Sequence, residues 1–374
     1  MIYLDNAATT YPKPECVYKA LDKANREFAF NAGRGSYDEA RQVSEIIDST
    51  RTKIGDLINV ESNKVYFESS ATEALNIVIN GLDLKENDTV YISPFEHNAV
   101  VRPLYNLQKK GIKVELLPFD RKTWEINETQ MKNMFAINKP KACFLTHISN
   151  VTGYILPFGS IFAHTLMYNC VNILDCSQSM GVLNPNVENV DFVIFAGHKS
   201  LYASFGVAGF VNVNNKHLSI TKSGGTGSDS LNVNMPEYGF ARYEAGSANS
   251  VAIYGLNESL NWLKNNDVLC HEKELTNYLI NELLKLTKVH LYLPNEINDI
   301  CGIVSFSVDG YTSKEVGSIL YDEFKICVRT GYHCAPFVHE FINSIDSLGT
   351  VRVSLGAFTT KEDIDSLINA LRTF

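Results

Sequence analysis

A lysine and an aspartate, each closing an apolar run, are the residues of this sequence best suited to covalent chemistry. In DFVIFAGHKS, Asp191 to Ser200, the apolar run Phe192 to Phe195 delivers Gly197, His198 and Lys199 at its end. This reads as a buried strand with a lysine at its mouth. An ammonium is costly to bury as packing, whereas an amine placed there can form a Schiff base with a carbonyl. Upstream, VNILDCSQ repeats the pattern and leaves Asp175 and Gln178 beyond a second strand. An acid and an amine at one edge of one sheet are two parts a pyridoxal phosphate site requires, the acid keeping the pyridine nitrogen protonated and the amine holding the aldehyde. Taken singly, each has a plainer reading, a surface lysine and a helix-capping aspartate.

Three further stretches add parts. In FESSATEALN, Phe67 to Asn76, a strand gives way to small residues and a helix with Thr72 near its start. Free N–H groups and positive potential there suit a phosphate, with the Thr72 hydroxyl as an added donor. The alternative is a capping box built from Ser69 or Ser70 and Glu73 with nothing bound. His97 follows the strand ending YISPFE and could stack on an aromatic ring, or be a solvated loop histidine. Cys334 lies in RTGYHCAP, Arg329 to Pro336, where glycine and proline favour a loop and where Arg329 and His333 could favour a thiolate.

The elements that must carry these residues alternate. Strand-like runs at Val65–Phe67, Thr89–Ile92, Val114–Leu117, Ala142–Thr146, Val171–Leu174, Phe192–Phe195 and Val207–Val213 are mostly separated by helical patterns. That rhythm predicts an α/β fold with a largely parallel sheet, helices on both faces, and ligands at the carboxyl ends of the strands. Residues 221–250 are glycine-rich and polar and read as loops. Helical patterns from Val251 and from Glu272 lead into a smaller αβ unit with strands at Ile303–Val308 and Val351–Leu355. The expected division is a large domain over residues 12–255 and a small one from residues 1–11 with 256–374.

Composition limits the partners. A net charge of −9 argues against broad phosphate neutralisation and hence against nucleic acid. No apolar run approaches a membrane span and the first residues lack a basic segment followed by an apolar one, so a cytoplasmic protein without membrane contact is expected. The 8 cysteines form no CxxC pair, and most sit in apolar runs as reduced core residues, which predicts no metal site.

The segments SSATEA, EHNAV, SNVTG, DCSQS, GHK, GGTGS, RYEAGSAN, RTGYHCAP and VRVSLG, in that order behind an amino-terminal YLDNAATT, resemble the class V aminotransferase-fold enzymes, and among them the cysteine desulfurases with a compact RxGxHCA-like cysteine loop. The resemblance implies the type I fold of pyridoxal phosphate enzymes, with a seven-stranded, mostly parallel sheet and a smaller α+β domain. It implies that Lys199 holds pyridoxal 5'-phosphate, Asp175 pairs with its ring nitrogen, Gln178 meets its phenolic oxygen and His97 stacks on the ring. Ala71, Thr72 and His198 would hold the phosphate, completed across a homodimer by Thr226 or Ser247. Asn150, Arg329 and Arg352 would bind the substrate, with Arg352 forking onto its α-carboxylate. Cys334 would take the sulfur of L-cysteine as a persulfide for an acceptor protein, as in iron–sulfur cluster assembly, leaving alanine. Selenocysteine cleavage, another class V aminotransferase or lyase reaction, and a weakly active sulfur-carrier scaffold are the alternatives. The sequence departs from that pattern at Ala196, where many relatives place a serine or threonine, and after Lys199, where Gly-Pro is missing.

Overall fold

Apolar runs of four or five residues that are buried throughout need cover on both faces, and the computed structural model, which describes residues 1–33, 35–227 and 230–374, provides it. In the first part of the chain, β1 (Ile2–Tyr3), α1 (Glu15–Glu27) and α2 (Asp38–Asp56) precede an alternating series. The series runs β2 (Val65–Glu68), α3 (Ala71–Gly81), β3 (Thr89–Ile92), α4 (Asn98–Gln108), β4 (Lys113–Leu116), α5 (Glu128–Ile137), β5 (Pro140–Thr146), α6 (Phe158–Thr165), β6 (Val171–Asp175), β7 (Phe192–Ala196) and β8 (Ala208–Asn212). Together β2 to β8 form a seven-stranded sheet in the order β2-β8-β7-β6-β5-β3-β4. Five neighbours, from β7 to β4, are parallel, and β8 runs antiparallel to both β7 and β2.

Alternation along β7 divides the core. Val193 and Phe195 join the apolar cluster on one face, while Phe192 and Ile194 join the cluster on the other. Strand β4 closes the sheet as an edge, and its partly exposed Lys113 and Glu115 suit that position.

After the loops comes α7 (Ser250–Lys264), which packs Ala252 to Leu263 into the first of those clusters. The expected division at 255/256 therefore falls inside a continuous helix. Then follow α8 (Val268–Leu283), β9 (Val289–Tyr292), β10 (Ile303–Val308), α9 (Ser313–Phe324), β11 (Ile326–Cys327), β12 (Arg329–Gly331), α10 (Val338–Phe341), β13 (Thr350–Ser354) and α11 (Lys361–Leu371). Strands β12-β13-β10-β9 make an antiparallel sheet, and β1 pairs with β11 in parallel. Leu4 joins the third apolar cluster with residues of α8, β10, α9, β13 and α11, so the amino terminus is packed in this smaller unit. Strands β9, β11 and β12 are not among the runs read from the sequence: β11 and β12 are only two and three residues long, β12 is Arg-Thr-Gly, and β9, Val-His-Leu-Tyr, is only partly buried. No helix among the described residues is long and apolar enough to cross a membrane.

Candidate active site

One wall of the site is made by strand ends of the large sheet. β7 stops at Ala196 and the chain turns at Gly197, where a Cβ would meet the Val207 carbonyl oxygen at 2.5 Å, so only glycine lets the two segments approach. Gly197 N donates to Val207 O (3.0 Å), Ala203 N to Gly197 O (2.8 Å) and Tyr202 N to Lys199 O (2.8 Å), which fixes the turn carrying the lysine. The Lys199 ammonium makes no hydrogen bond or ion pair among the described residues. Burial pushes its pKa down, against the nearby Asp175 carboxylate, which pulls it up. A lowered amine pKa is what a nucleophile or a proton carrier requires.

Asp175 ends β6. Its Oδ1 accepts from Ser177 N (2.9 Å) and Ser177 Oγ (2.6 Å), which orients the carboxylate and leaves Oδ2 without a hydrogen bond among the described residues. His97 caps α4 through Nδ1, which accepts from Ala99 N at 3.0 Å. Burial, then the Lys199 charge, hold its pKa down at about 4, so the ring is neutral near pH 7. Gln178 Nε2 donates to Ala7 O at 2.9 Å.

At the start of α3 a serine caps the helix, but the capping box is not closed, because the Glu73 carboxylate turns to Ser69. Ser70 is the N-cap, accepting from Glu73 N at 3.2 Å, and Ser69 Oγ bonds the Glu73 carboxylate. That cap satisfies one N–H and leaves those of Ala71 and Thr72 without an intrahelical partner. Beside them, the His198 ring stacks on Phe205 at 4.5 Å, and burial lowers its pKa to about 4. Its Nδ1 is buried without a partner, an unusual state for a polar atom unless a ligand completes it.

The other wall belongs to the small unit. Arg329 of β12 lies directly across from Arg352 of β13. Arg352 is almost wholly buried, and its fork is engaged: Nη1 donates to Asn150 O (2.8 Å) and Nη2 to Asp5 Oδ1 (2.6 Å). Asn150 in turn donates from Nδ2 to His333 O at 2.7 Å. Cys334 is exposed, and its carbonyl accepts from Asn98 N at 2.7 Å. His333 and Cys334 both hold left-handed backbone conformations, with φ of 45° and 58°. Such a pair costs about 1–2 kcal/mol per residue and persists only where neighbours over-determine it. His333 is buried and bonds Thr350 Oγ1 at 2.8 Å. Burial, then the Arg352 charge, drive its pKa far down, so of the two cations expected beside the thiol His333 is neutral, and Arg329 is the one that lines the cavity with Cys334 as a cation.

These walls meet around a cavity of about 250 Å³. Ala71, Thr72, His97, Asn150, Asp175, Gln178, His198, Lys199, Arg329, Cys334 and Arg352 all line it. Thr226 and Ser247 do not; they line a separate, larger cavity beside Arg51 and Glu244. Asp5, Ser177 and Thr350, which orient the site, were not singled out by the sequence reading. Only Asp5 had a signal there, a lone acid in an otherwise extended, uncharged amino-terminal segment. The arrangement can seat an anion at α3 and His198, offer an amine and a carboxylate to a flat ring, and present a thiol to whatever the amine holds.

Residues 2–367 match the family model Aminotransferase class-V. The chain belongs to that family. Among curated relatives, it is 28% identical to a probable cysteine desulfurase of Methanothermobacter thermautotrophicus over 98% of this chain and 92% of that protein. It is 26% identical to the cysteine desulfurase of Pectobacterium carotovorum over 100% of this chain and 92% of that one. The class-V fold is shared with the apo cysteine desulfurase of Thermococcus onnurineus, at a TM-score of 0.90 and 24% identity over 100% of this chain and 94% of that structure. It is also shared with the cysteine desulfurase CsdA of Escherichia coli, at a TM-score of 0.84 and 24% identity over 100% and 94%. The α/β architecture expected from the alternating runs is therefore that of class-V enzymes.

Proposed function

We propose that this chain is a pyridoxal phosphate-dependent cysteine desulfurase that converts L-cysteine to L-alanine and leaves the sulfur as a persulfide on Cys334. The observation that carries the reading is that Lys199, Asp175, His97 and Cys334 line one cavity of about 250 Å³. The residues suit the cofactor. The unpartnered Nδ1 of His198 and the free N–H groups at Ala71 and Thr72 would hold its phosphate, the free Oδ2 of Asp175 its ring nitrogen, and Lys199 its carbonyl carbon. When bound, pyridoxal 5'-phosphate supplies an electron sink for bonds to the carbon next to an amino group.

The chain's own groups do the rest. Lys199 Nζ, lowered by burial, takes and returns the proton at the substrate Cα. Asp175, held by Ser177, keeps a negative charge fixed at the inner end of the site. His97 offers a neutral ring face without adding a charge. Arg329 and Arg352 supply the positive charge for the α-carboxylate.

Cys334 Sγ, as thiolate, attacks the substrate sulfur. The S–S bond forms as the Cβ–S bond breaks, the electron pair stays on carbon, and a proton completes alanine. The exposed position of Cys334 then leaves the outer sulfur open to an acceptor protein. Thr226 and Ser247, away from the cavity in one protomer, would reach it from a second copy, which makes the working form a homodimer.

The test is to mix the purified holoenzyme with L-cysteine, L-selenocysteine and other amino acids, and to measure alanine, sulfide or selenide, persulfide and keto acids together. From L-cysteine, alanine is expected in an amount equal to protein-bound sulfur and released sulfide together. Cys334→Ser should lose persulfide formation and keep the yellow colour of the bound cofactor. Keto acid as the main product would reassign the site to transamination, and full sulfur release by the Cys334→Ser variant would point to elimination without a cysteine nucleophile.

A further inference from the structure

The guanidinium meant for the substrate carboxylate already has a carboxylate. Arg352 keeps 3% of its side chain exposed and Asp5 keeps 19%, with Nη2 to Oδ1 at 2.6 Å. Asp5 does not dangle from a frayed terminus. Leu4 is buried in the core of the small unit, Ser354 N donates to Leu4 O (2.8 Å), Asp5 forms a parallel bridge with Ser354, and Ala8 N donates to Asp5 O (3.1 Å). The acid is therefore delivered to Arg352 by an ordered backbone.

A buried guanidinium with no counter-charge is strongly disfavoured, and two carboxylates on one guanidinium repel each other. Asp5 averts the first condition in the empty site, and the second arises when an α-carboxylate arrives. Across the strand pair, Arg329 makes no hydrogen bond or ion pair among the described residues and lines the same cavity, so it is free to meet an incoming carboxylate first. From Arg352 the contacts continue through the Asn150 carbonyl and side chain to the carbonyl of His333, next to the nucleophile.

We propose that Asp5 is a positioning residue that serves as the resident counter-ion of Arg352 in the empty site and yields Nη2 when the substrate α-carboxylate binds. Carboxylate binding is then an exchange of one anion for another on a guanidinium that is never left bare. The exchange is transmitted to the cysteine loop through Asn150. This inference rests on the reading above that the substrate is an α-amino acid.

The experiment uses the holoenzyme and L-alanine, which carries the α-carboxylate but no sulfur, titrated by calorimetry. Asp5→Asn removes the competing charge, and its dissociation constant for L-alanine should fall roughly tenfold, with a fall in KM for L-cysteine that exceeds any change in kcat. Asp5→Glu, which keeps the charge, should bind L-alanine close to the native constant. Unchanged or weaker L-alanine binding by Asp5→Asn overturns the proposal. If that variant does not fold, a crystal structure of the native holoenzyme with L-alanine decides: the Asp5–Arg352 contact is expected to be broken, and its retention with the carboxylate bound elsewhere overturns it. L-alanine binding involves no sulfur transfer, so failure here leaves the desulfurase reading standing. A holoenzyme that shows the Asp5 effect yet releases no sulfur would fault that reading alone.

Discussion

The two walls of the cavity are built in opposite ways. The wall carrying Asp175 and Lys199 consists of parallel strand ends whose positions follow from the register of β6 and β7, and each functional group needs only one or two local contacts to be aimed. On the wall carrying Cys334 the thiol sits in irregular chain, with consecutive left-handed residues at 333 and 334 fastened by groups from three other segments, Asn98, Asn150 and Thr350. A sheet edge gives rigidity at low cost, while a strained loop can bring a thiol to a substrate atom and still leave it open to the outside. The contrast teaches that the amine and the carboxylate are secured by topology and the thiol by pinning.

The comparison can be broken from either wall. The largest effect is expected from Lys199→Ala, which should remove the yellow absorbance of the purified protein and all turnover, read by spectrum and alanine release. Unchanged colour would show that the strand-end wall does not hold the cofactor. A smaller effect should follow Asn150→Ala, which removes the amide that holds the His333 carbonyl while leaving the Arg352 bond to the residue 150 carbonyl in place. A displacement on the order of 1 Å of the thiol should lower kcat by about 100-fold while the spectrum stays native. Loss of the spectrum together with activity would place Asn150 on the cofactor side instead.

Thr350→Val removes the hydroxyl that His333 Nε2 meets at 2.8 Å, leaving a buried nitrogen less well satisfied. It should cost about 1–3 kcal/mol, measured by denaturant unfolding, with a smaller loss of persulfide formation than Asn150→Ala. An unaltered midpoint would mean the pin is dispensable.

The smallest effect concerns the seam between the walls. Glu272 of α8 is buried and accepts from Tyr202 Oη at 3.1 Å, and Tyr202 Oη accepts in turn from Ala357 N at 2.7 Å. Burial raises its pKa from 4.5 to about 8, so the folded protein favours the protonated acid. The stabilisation this confers is complete below pH 4.5 and is lost as the pH rises through about 8. Glu272→Gln, which keeps the acceptor but cannot ionise, should therefore flatten the fall in melting temperature over that window, and an identical pH profile would contradict the sign.

Much of the strand-end wall was legible in the residues. The lysine and the aspartate each had a plainer reading alone, but the two apolar runs placed both at strand ends, and β6 and β7 end within a residue of where the pattern places them. The same reading also offered Ser69 or Ser70 as the cap of a helix starting near Thr72, and the structure selects Ser70. What was not legible depends on contacts between distant segments. The pairing of Asp5 with Arg352 joins residues 347 apart, and the bond from Asn150 to His333 spans 183. His333 illustrates the cost: beside Cys334 in sequence it reads as a cation, whereas burial makes it neutral and turns it toward Thr350.

The sequence alone determined the repeating strand and helix pattern, the chemistry-bearing residue types, and which of them stand at strand ends, because these follow from periods of two and 3.6 and from short-range sterics. Only the tertiary structure decided which charges face each other, which histidines are neutral and which carbonyls hold the cysteine loop. Those outcomes depend on desolvation and on hydrogen bonds between segments that the chain brings together only after its core has formed.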